Sequence, residues 1–400
     1  MTKGHLLTGL DIGTNSVKML VALKKPQDKV LEVISQAEVS NFGMRKGVVI
    51  NPDEVASKIR EALDFCQEGL EKKINSAVVS INGSHLTFLP SRGLASVSRA
   101  DQRISEIDIE RALQASRTLS LSTNQEILDV FPQEFIIDGQ SGIKEAEGLR
   151  GIRLEAKTLC TAVFSPYLKN LTEAVLEAGL EIDNISPSVL ASSEAVLTPK
   201  EKELGVVMVE IGAGTTGMAI FEEGSLVHAA ILPIGSNNIT NDIAYVMRFE
   251  IESAEEAKKT FPGFGSRKKS YSRDKRKGSA QRFSGKNLAR VVEARTKEIF
   301  TEVAKELKKV NKTRLPSGVV LTGGGAKLLK IVDFAKKELK LPCRLGLANG
   351  FVPELDDSSF SVVAGLILEA AKDIDIDNHS SFLEKGIFRK AKNFFRIFIP

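Results

Sequence analysis

Two stretches of this chain, separated by about half its length, repeat one pattern of residues. Residues 7–22 and residues 206–221 each give an apolar strand, an acid, Ile-Gly, small polar residues and a second apolar strand. The acids are Asp11 and Glu210. An internal repeat on this scale predicts a duplicated fold, and 400 residues are too many for one ordinary hydrophobic core. Two unrelated glycine hairpins are the alternative interpretation.

The second stretch also contains the glycine spacing of a dinucleotide-binding loop, Gly212-x-Gly214-x-x-Gly217. Such a loop must open a helix whose N-terminus holds the pyrophosphate. Here the chain continues as a strand, a turn at 222–224 and a second strand at 225–232, with no helical period. An acid before the turn would also repel a pyrophosphate unless a cation lay between them. The sequence therefore argues against a Rossmann site.

Two acid-ended hairpins that face each other would suit a triphosphate with Mg²⁺. Glycine and threonine allow backbone N–H groups to approach phosphate oxygens closely. Each acid can hold a water of the Mg²⁺ shell, because Mg²⁺ keeps several waters and takes few protein carboxylates. Lys18 could place a positive charge on the phosphates. We therefore expect a metal-bound polyphosphate between two half-domains.

A third glycine-rich element supports a nucleotide site. Residues 318–327 form an apolar strand that ends in three consecutive glycines, and the stretch 328–339 has helical periodicity. Backbone without side chains can approach a flat base or a sugar. This signal is weak alone, because many strand–helix corners carry glycine, and it gains weight beside the two hairpins.

Three such loops in this order resemble the actin and Hsp70 superfamily of ATP-binding proteins, and in detail the FtsA family of bacterial cell-division proteins. The closer resemblance is carried by residues 131–144, 190–193 and 239–245 and by a basic amphipathic tail, and it covers nearly the whole chain. It implies an α/β, actin-like two-lobed fold of duplicated ribonuclease H-like domains, with a small α+β inserted subdomain and a C-terminal amphipathic helix.

The resemblance also implies a division of the chain into lobes and subdomains. The expected segments are a first lobe (1–81, 165–200 and about 357–372), an inserted α+β subdomain (82–164), a second lobe (201–240 and 311–356), a mostly helical subdomain (241–310) with a basic loop (266–286), a flexible acidic linker (373–381) and an amphipathic membrane helix (382–400).

By the same resemblance, ATP and Mg²⁺ bind in the cleft between the lobes. Residues 254–258 look like the superfamily's helical Ala-Glu-x-x-Lys, which would place Glu255 and Lys258 near ribose and adenine; the alternative is an exposed i,i+3 ion pair of little energetic value. Asp11 and Glu210 are the expected Mg²⁺ residues, acting through water. The remaining residues that match the loops are Gly13, Thr14, Asn15, Lys18, Gly212, Gly214, Thr215, Thr216, Gly323, Gly324 and Gly325.

Two departures from the superfamily pattern bear on chemistry. The second loop usually carries Asp, and this chain has the longer Glu210. Members that hydrolyse ATP well place Gln or Glu just before the helix that leads into the second lobe, and here Ser186 stands at that position. A serine hydroxyl aligns an attacking water poorly. We therefore expect at most a slow ATPase, in which ATP serves as a conformational and polymerisation ligand.

The resemblance implies partners as well. FtsA-like proteins polymerise beneath the membrane, at the division site, and tether FtsZ to its cytoplasmic face alongside other division proteins. Arg295, within 292–299, fits the family's receiving helix for the C-terminal peptide of FtsZ.

The run 267–277 has seven basic residues and one acid, and it is either a solvated loop or an attractor for an acidic peptide or anionic surface. The net charge of +4 gives no argument for nucleic acid.

The tail has the two faces of an interfacial helix. At 100° per residue the cationic face carries Lys385, Arg389, Lys392 and Arg396, and charge recurring nearly every turn excludes a spanning helix. The alternative is a helix docked on the protein's own core, which leaves this cationic stripe without a purpose. A helix that is disordered in solution and forms on anionic membrane explains both faces. The apolar face carries Ile387, Phe388, Ala391, Phe394, Phe395 and Phe398.

Three other classes of protein share parts of this pattern. A sugar or acetate kinase would need a catalytic acid near the γ-phosphate and would have no use for a lipid-binding tail. An Hsp70-like ATPase would need a substrate domain after the second lobe. A pilus-type relative of FtsA shares the loops but usually lacks such a tail. Three cysteines in no ligand spacing, without a signal-like start, favour a reducing cytoplasm.

Overall fold

The computed structural model describes residues 4–26, 28–265 and 285–379. The basic run 267–277 and the predicted amphipathic helix 382–400, with every membrane-facing residue named above, lie outside the described residues. None of the helices in the described part of the chain has the length and apolar character needed to span a lipid bilayer.

The first lobe is a mixed sheet covered by helices. Its first three strands form antiparallel neighbours, and two later strands add in parallel on the side of the first strand. The elements before the insertion are β1 (His5–Ile12), β2 (Ser16–Lys24), β3 (Leu31–Ser40), β4 (Met44–Arg45), β5 (Val48–Val49), α1 (Pro52–Gln67) and β6 (Ser76–Ile81).

The inserted subdomain is a four-stranded antiparallel sheet with one helix on its face. Its elements are β7 (Thr87–Ser96), α2 (Glu106–Ser116), β8 (Gln125–Ile137), β9 (Gln140–Ile143) and β10 (Arg153–Phe164), in the sheet order β7-β10-β8-β9. Asp108 stabilises the start of α2, because its Oδ2 accepts from both the backbone N–H and the hydroxyl of Ser105, at 2.9 and 2.6 Å. Strand β8 continues through Pro132, which pairs with Thr158, and a register shift beside this pair leaves Gln133 as an extra residue.

The chain then returns to the first lobe and enters the second. The elements are α3 (Ser165–Glu177), β11 (Glu181–Pro187), α4 (Ser188–Val196), α5 (Pro199–Leu204), β12 (Val206–Ile211), β13 (Thr216–Glu222) and β14 (Ser225–Leu232). Every residue of β12 is buried, because both faces of the second sheet are covered.

The second lobe ends with a helical subdomain, two further strands and the closing helix. The elements are α6 (Ser236–Met247), α7 (Ile251–Lys259), α8 (Gly285–Lys309), β15 (Val319–Thr322), α9 (Ile331–Leu339), β16 (Cys343–Leu345), β17 (Phe351–Val352) and α10 (Ser361–His379). The second sheet has the order β14-β13-β12-β15-β16, and the first sheet has the order β11-β6-β1-β2-β3-β17. Apart from the added edge strand β17, both sheets order their strands 3-2-1-4-5, which is the duplication that the repeat predicted.

Helices α4 and α10 cross between the lobes and join their cores. One hydrophobic cluster contains Leu7 and Leu20 of the first sheet, Met208 and Ala219 of the second, and Ile367 of α10. The two helices approach so closely at Gly365 that a Cβ there would lie 1.7 Å from the carbonyl oxygen of Ala191. The lobes are therefore connected through a tightly packed helix crossing below the cleft.

The expected flexible linker at 373–381 is wrong for the residues that the structure describes. Helix α10 continues through these positions to His379. The acidic residues of this stretch suggested a solvated linker, but Ile374 packs against the core that the two lobes share. Burial of that side chain favours continuation of the helix.

Candidate functional site

The two repeated acids face each other at the carboxyl ends of the central strands. Asp11 is the penultimate residue of β1, and Glu210 is the penultimate residue of β12. Burial, and then the charge of Asp11, raises the pKa of Glu210 to about 7. The structure thus brings together the two carboxylates that the repeat singled out, one from each lobe.

Asp11 belongs to a row of polar side chains that crosses the first sheet. The Ser80 hydroxyl of β6 donates to Asp11 Oδ1 at 2.7 Å. Lys18 is the cross-strand partner of Asp11, and its Nζ lies 3.2 Å from Oε1 of Glu38 on β3. Burial raises the pKa of Asp11, while Lys18 and the Ser80 hydrogen bond oppose that rise. Lys18 thus lies between two carboxylates, a position that suits a cation near phosphates.

The longer side chain at position 210 reaches the helix between the lobes. The Ser192 hydroxyl of α4 donates to Glu210 Oε2 at 3.1 Å, and both residues are buried. The extra methylene relative to Asp therefore lets one carboxylate both face Asp11 and contact α4. Ser192 lies within the run 190–193 that carried the family resemblance, but no pattern in the sequence marks its contact with Glu210.

The first hairpin turn is shaped by its own backbone and by two neighbouring segments. Gly13 N donates to Ser16 O at 3.0 Å, and the buried Asn41 side chain donates to Gly13 O at 2.9 Å. The Thr14 hydroxyl accepts a hydrogen bond from Gly47 N at 3.1 Å. The turn is thus fixed before any ligand binds, which is the preorganisation that a phosphate loop requires.

The second hairpin turn has the same internal bond and docks on a helix. Gly212 N donates to Thr215 O at 2.9 Å, which mirrors the bond within the first turn. The fully buried Thr216 hydroxyl donates to Ile234 O at 2.8 Å and is thus occupied within the protein. Ser236 N, at the start of α6, donates to Gly212 O at 2.9 Å.

The three consecutive glycines after β15 have different roles. A Cβ at Gly325 would lie 2.4 Å from Cγ2 of Ile211, and one at Gly323 would lie 2.7 Å from Ile211 O. Gly323 also has a φ of +86°, which side chains rarely adopt. Gly324 is exposed, with only Ser359 near a Cβ placed there. Packing therefore explains two of the glycines, and Gly324 alone presents open backbone.

Glu255 and Lys258 form a buried cluster with Thr240, which excludes the exposed ion pair as an interpretation. Lys258 Nζ lies 2.6 Å from Glu255 Oε2, and Lys258 is only 7% exposed. The Thr240 hydroxyl donates to the same carboxylate oxygen at 2.6 Å. Burial lowers the pKa of Lys258, against the opposing charge of Glu255. The cluster lies on α6 and α7, at the side of the second hairpin turn.

Ser186 lies at the end of β11, in register with Ser80 of β6. Its hydroxyl donates to Glu369 Oε1 of α10 at 3.2 Å. Burial raises the pKa of Glu369 to about 8, and the nearby charges of Glu194, Asp129 and Asp373 add to this rise. Position 186 on β11 thus carries a hydroxyl that is hydrogen-bonded to the carboxylate of Glu369 on α10.

Arg295 lies on α8, in the helical subdomain rather than in the cleft. Its Nε and Nη2 donate to the two carboxylate oxygens of Asp242 at 2.7 and 2.9 Å, and Nη1 donates to Glu298 at 2.6 Å. The bidentate ion pair with Asp242 therefore links α8 to α6. A groove of about 230 Å³ on another face of α8, which sequence analysis did not identify, is lined by Phe300, Thr301, Ala304, Lys305, Lys308 and Glu338.

Comparison with known sequences identifies relatives over most of the chain. A family model described as cell division protein FtsA matches residues 207–365, and one described as the SHS2 domain inserted in FtsA matches residues 83–161. The cell division protein FtsA of Pseudomonas aeruginosa is 36% identical over 376 residues, which cover 91% of this chain and 89% of that protein. FtsA of Bacillus subtilis is 32% identical over 383 residues, covering 94% and 86%.

Comparison with solved structures gives the fold. A chain of the PilM–PilN type IV pilus biogenesis complex superposes with a TM-score of 0.67 at 17% identity, covering 91% of this chain and 98% of that one. MreB5 of Spiroplasma citri bound to ADP superposes with a TM-score of 0.53 at 15% identity, covering 94% and 99%. These neighbours, with the matched inserted domain, show that the fold is actin-like.

Proposed function

The chain belongs to the FtsA family of cell-division proteins, and from that premise we propose that it is a nucleotide-regulated adaptor beneath the cell membrane. It binds ATP with Mg²⁺ between its lobes, assembles into filaments and ties FtsZ to the cytoplasmic face of the membrane at the division site. The observation that carries the nucleotide part is the facing pair Asp11 and Glu210.

The chemistry of this pair fits a hydrated Mg²⁺ ion. The side chains that face one another offer carboxylate oxygens, and Mg²⁺ takes oxygen ligands while it keeps several waters. Burial raises the pKa of both carboxyl groups, so an ion that supplies positive charge would stabilise their ionised forms. Asp11 and Glu210 would hold waters of the Mg²⁺ shell, and Lys18 would face the phosphates.

Several flanking residues support a nucleotide in this cleft. The two hairpin turns lie on either side of the carboxylate pair, Gly324 presents open backbone, and Lys258 with Glu255 forms a polar cluster beside the second turn. The solved protein MreB5 of Spiroplasma citri, which shares the fold, has been described bound to ADP and to AMPPNP. By this proposal the base and sugar lie between Gly324 and the Glu255 cluster.

The two proposed partner sites are helix α8, for FtsZ, and the C-terminal tail, for the membrane. We assign FtsZ binding to α8, where Arg295 would contact the acidic peptide in exchange for its pairing with Asp242, and where Lys305 and Lys308 line a groove on another face. Helix α10 runs to His379, and the segment predicted to form the amphipathic helix begins three residues later in the sequence, at residue 382. Residues 381–400 carry five basic residues and one acid, which suits an anionic lipid surface.

Titration of the full chain with a fluorescent ATP analogue, with Mg²⁺ and with EDTA, tests the nucleotide site. We expect Mg²⁺ to tighten binding in the natural chain, and Asp11→Asn to remove most of that increment, about 10–100-fold as for other metal-orienting residues. Asp183→Asn, an exposed acid on β11, is the matched control and should behave as the natural chain. Equal Mg²⁺ dependence in all three proteins would overturn the proposal.

A further inference from the structure

Two asparagine side chains join the lobes at the mouth of the cleft. Asn15 Nδ2 donates to Asn237 Oδ1 at 2.8 Å, and Asn237 Nδ2 donates back to Asn15 Oδ1 at 2.7 Å. Asn15 directly follows Thr14 in the first hairpin turn, and Asn237 is the second residue of α6. The pair is a reciprocal amide bridge between residues 222 positions apart.

Both asparagines are anchored to the hairpin turns that the proposed function assigns to phosphate binding. The backbone N–H of Asn237 donates to Ala213 O at 2.8 Å, within the second hairpin turn. The carbonyl of Asn15 accepts from Asn41 N at 2.9 Å, which fixes the first turn. The amide bridge therefore connects the two turns themselves, rather than distant parts of the lobes.

A short hairpin closes the same place from the side. Strands β4 and β5 are joined by Lys46 and Gly47, of which Gly47 N donates to Thr14 Oγ1 in the first turn and Lys46 lies beside Gly214 in the second. A Cβ at Gly214 would lie 2.7 Å from Thr14 Oγ1 and 2.9 Å from Lys46 Cα, so only glycine allows this approach. The turns of the two lobes thus touch each other and the hairpin, and the cleft is closed on its phosphate side.

We infer that Asn237, through its amide bridge to Asn15, acts as a clasp that holds the two phosphate turns together and limits the rate at which nucleotide enters and leaves. This inference rests on the proposed nucleotide site and adds a residue to it. Asn237 touches the opposite turn, and by this inference it acts on exchange by closing the cleft rather than by direct binding to the phosphates.

The clasp has a kinetic signature that a direct nucleotide contact lacks. Nucleotide exchange requires the open form, so removal of the bridge raises the open fraction of both the free and the bound protein. Association and dissociation rates then rise together, and the dissociation constant changes little. Loss of a direct contact would instead raise the dissociation rate alone and weaken binding.

Stopped-flow fluorescence of the full chain with a fluorescent ATP analogue and Mg²⁺ separates these cases. For Asn237→Ala we expect both rates to rise roughly tenfold, because two exposed hydrogen bonds are lost. Tyr245→Ala, at an 87% exposed position on the same helix, is the matched control and should leave both rates unchanged. Thermal melting of each variant checks that the fold is retained.

The outcomes distinguish the clasp from the proposed function. If the natural chain does not bind the analogue, the proposed nucleotide site fails. If the natural chain binds it and Asn237→Ala has unchanged rates, or a faster dissociation with an unchanged association rate, the clasp is overturned while the site stands. A parallel rise of both rates in Asn237→Ala, absent from Tyr245→Ala, supports the clasp.

Discussion

Glu369 is a half-buried acid of α10 that lies outside the carboxylate pair of the cleft. Its carboxylate accepts from Ser186 and is surrounded by Glu194, Asp129 and Asp373. Burial raises its pKa from the ordinary 4.5 to about 8. Between these two pH values the folded protein keeps a proton that the unfolded chain has released. Rising pH therefore favours unfolding across this window.

The first prediction is that Glu369→Gln flattens this part of the pH dependence. The amide carries no charge and can still accept from Ser186, so the variant should match the natural chain near pH 4.5 and melt about 2 °C or more higher above pH 8. Thermal melts across pH 5–9 measure the effect. Glu181→Gln, at an exposed position on β11, is the control, and an equal gain in that variant would contradict the assignment.

The second residue-scale prediction concerns hydrolysis. Ser186 has neither the amide nor the carboxylate that aligns an attacking water, and its hydroxyl is engaged with Glu369. We expect steady-state phosphate release from ATP to stay below about one per second, the lower end for phosphoryl-transfer enzymes. Faster release by the full chain, lost in Asp11→Asn, would show that another group orients the water.

Single residues of the cleft could be predicted from sequence only where the signal is local. The repeat identified Asp11 and Glu210 because strand, acid and glycine turn are contiguous in the chain. Ser192 and Asn237 contact this site from 18 and 222 positions away, through helix packing that no periodicity encodes. The position of Ser186 was predicted, but its acid partner on α10 was not, since 183 residues separate them.

At the scale of elements, the close approach of α4 and α10 depends on the absence of a side chain at Gly365. Alanine normally stabilises a helix interior relative to glycine by roughly 1 kcal/mol. At Gly365 the sign should reverse, because a Cβ would lie 1.7 Å from Ala191 O. We predict that Gly365→Ala destabilises the protein on the order of 3 kcal/mol, as measured by chemical denaturation.

A second substitution checks the cause of that destabilisation. The colliding atom is a backbone oxygen of α4, so Ala191→Gly should not rescue Gly365→Ala. Rescue would mean that side-chain packing, rather than backbone contact, sets the distance between the helices.

The ion pair of Arg295 and Asp242 gives a second prediction at this scale. If Arg295 contacts the FtsZ peptide, Arg295→Ala should weaken binding of a synthetic peptide of the FtsZ carboxyl terminus by about fivefold or more. Asp242→Asn frees the guanidinium and should leave affinity unchanged or higher. Arg290→Ala, exposed on the same helix, is the control for charge. Equal weakening by Arg295→Ala and Asp242→Asn would instead indicate that the ion pair only holds α6 and α8 in position, without direct contact between Arg295 and the peptide.

Elements with a strong local pattern were predicted well, and failures occurred where tertiary contacts override composition. Strands β12 and β13 lie within residues 206–222 on either side of the glycine turn, as the repeated pattern of strand, acid and turn predicts. The acidic stretch after residue 372 remains helical because the partly buried Ile374 packs against the core that the two lobes share. The strand β8 continues past Pro132 because it takes up the irregularity itself: Gln133 is an extra residue between the pairs Pro132–Thr158 and Glu134–Lys157.

At the scale of the whole molecule, the duplicated sheets are joined by the crossing of α4 and α10 into one body. The repeat predicted the two lobes, and the family resemblance predicted the insertion between β6 and α3. The closed contact between the hairpin turns could not be predicted, because it depends on how the lobes pack around α4 and α10.

The last prediction is that the tail alone supplies membrane binding. Each buried Phe or Ile contributes about 1.5–3 kcal/mol when fully buried, and each basic residue near anionic lipid adds about 1 kcal/mol. The full chain should sediment with vesicles that contain anionic lipid, and a chain ending at His379 should remain in the supernatant. Phe394→Ala with Phe395→Ala should abolish sedimentation at any salt concentration, whereas Lys392→Gln with Arg396→Gln should weaken it chiefly at low salt. If the tail docks on the protein's own core instead, truncation would lower the melting temperature and leave vesicle binding unchanged.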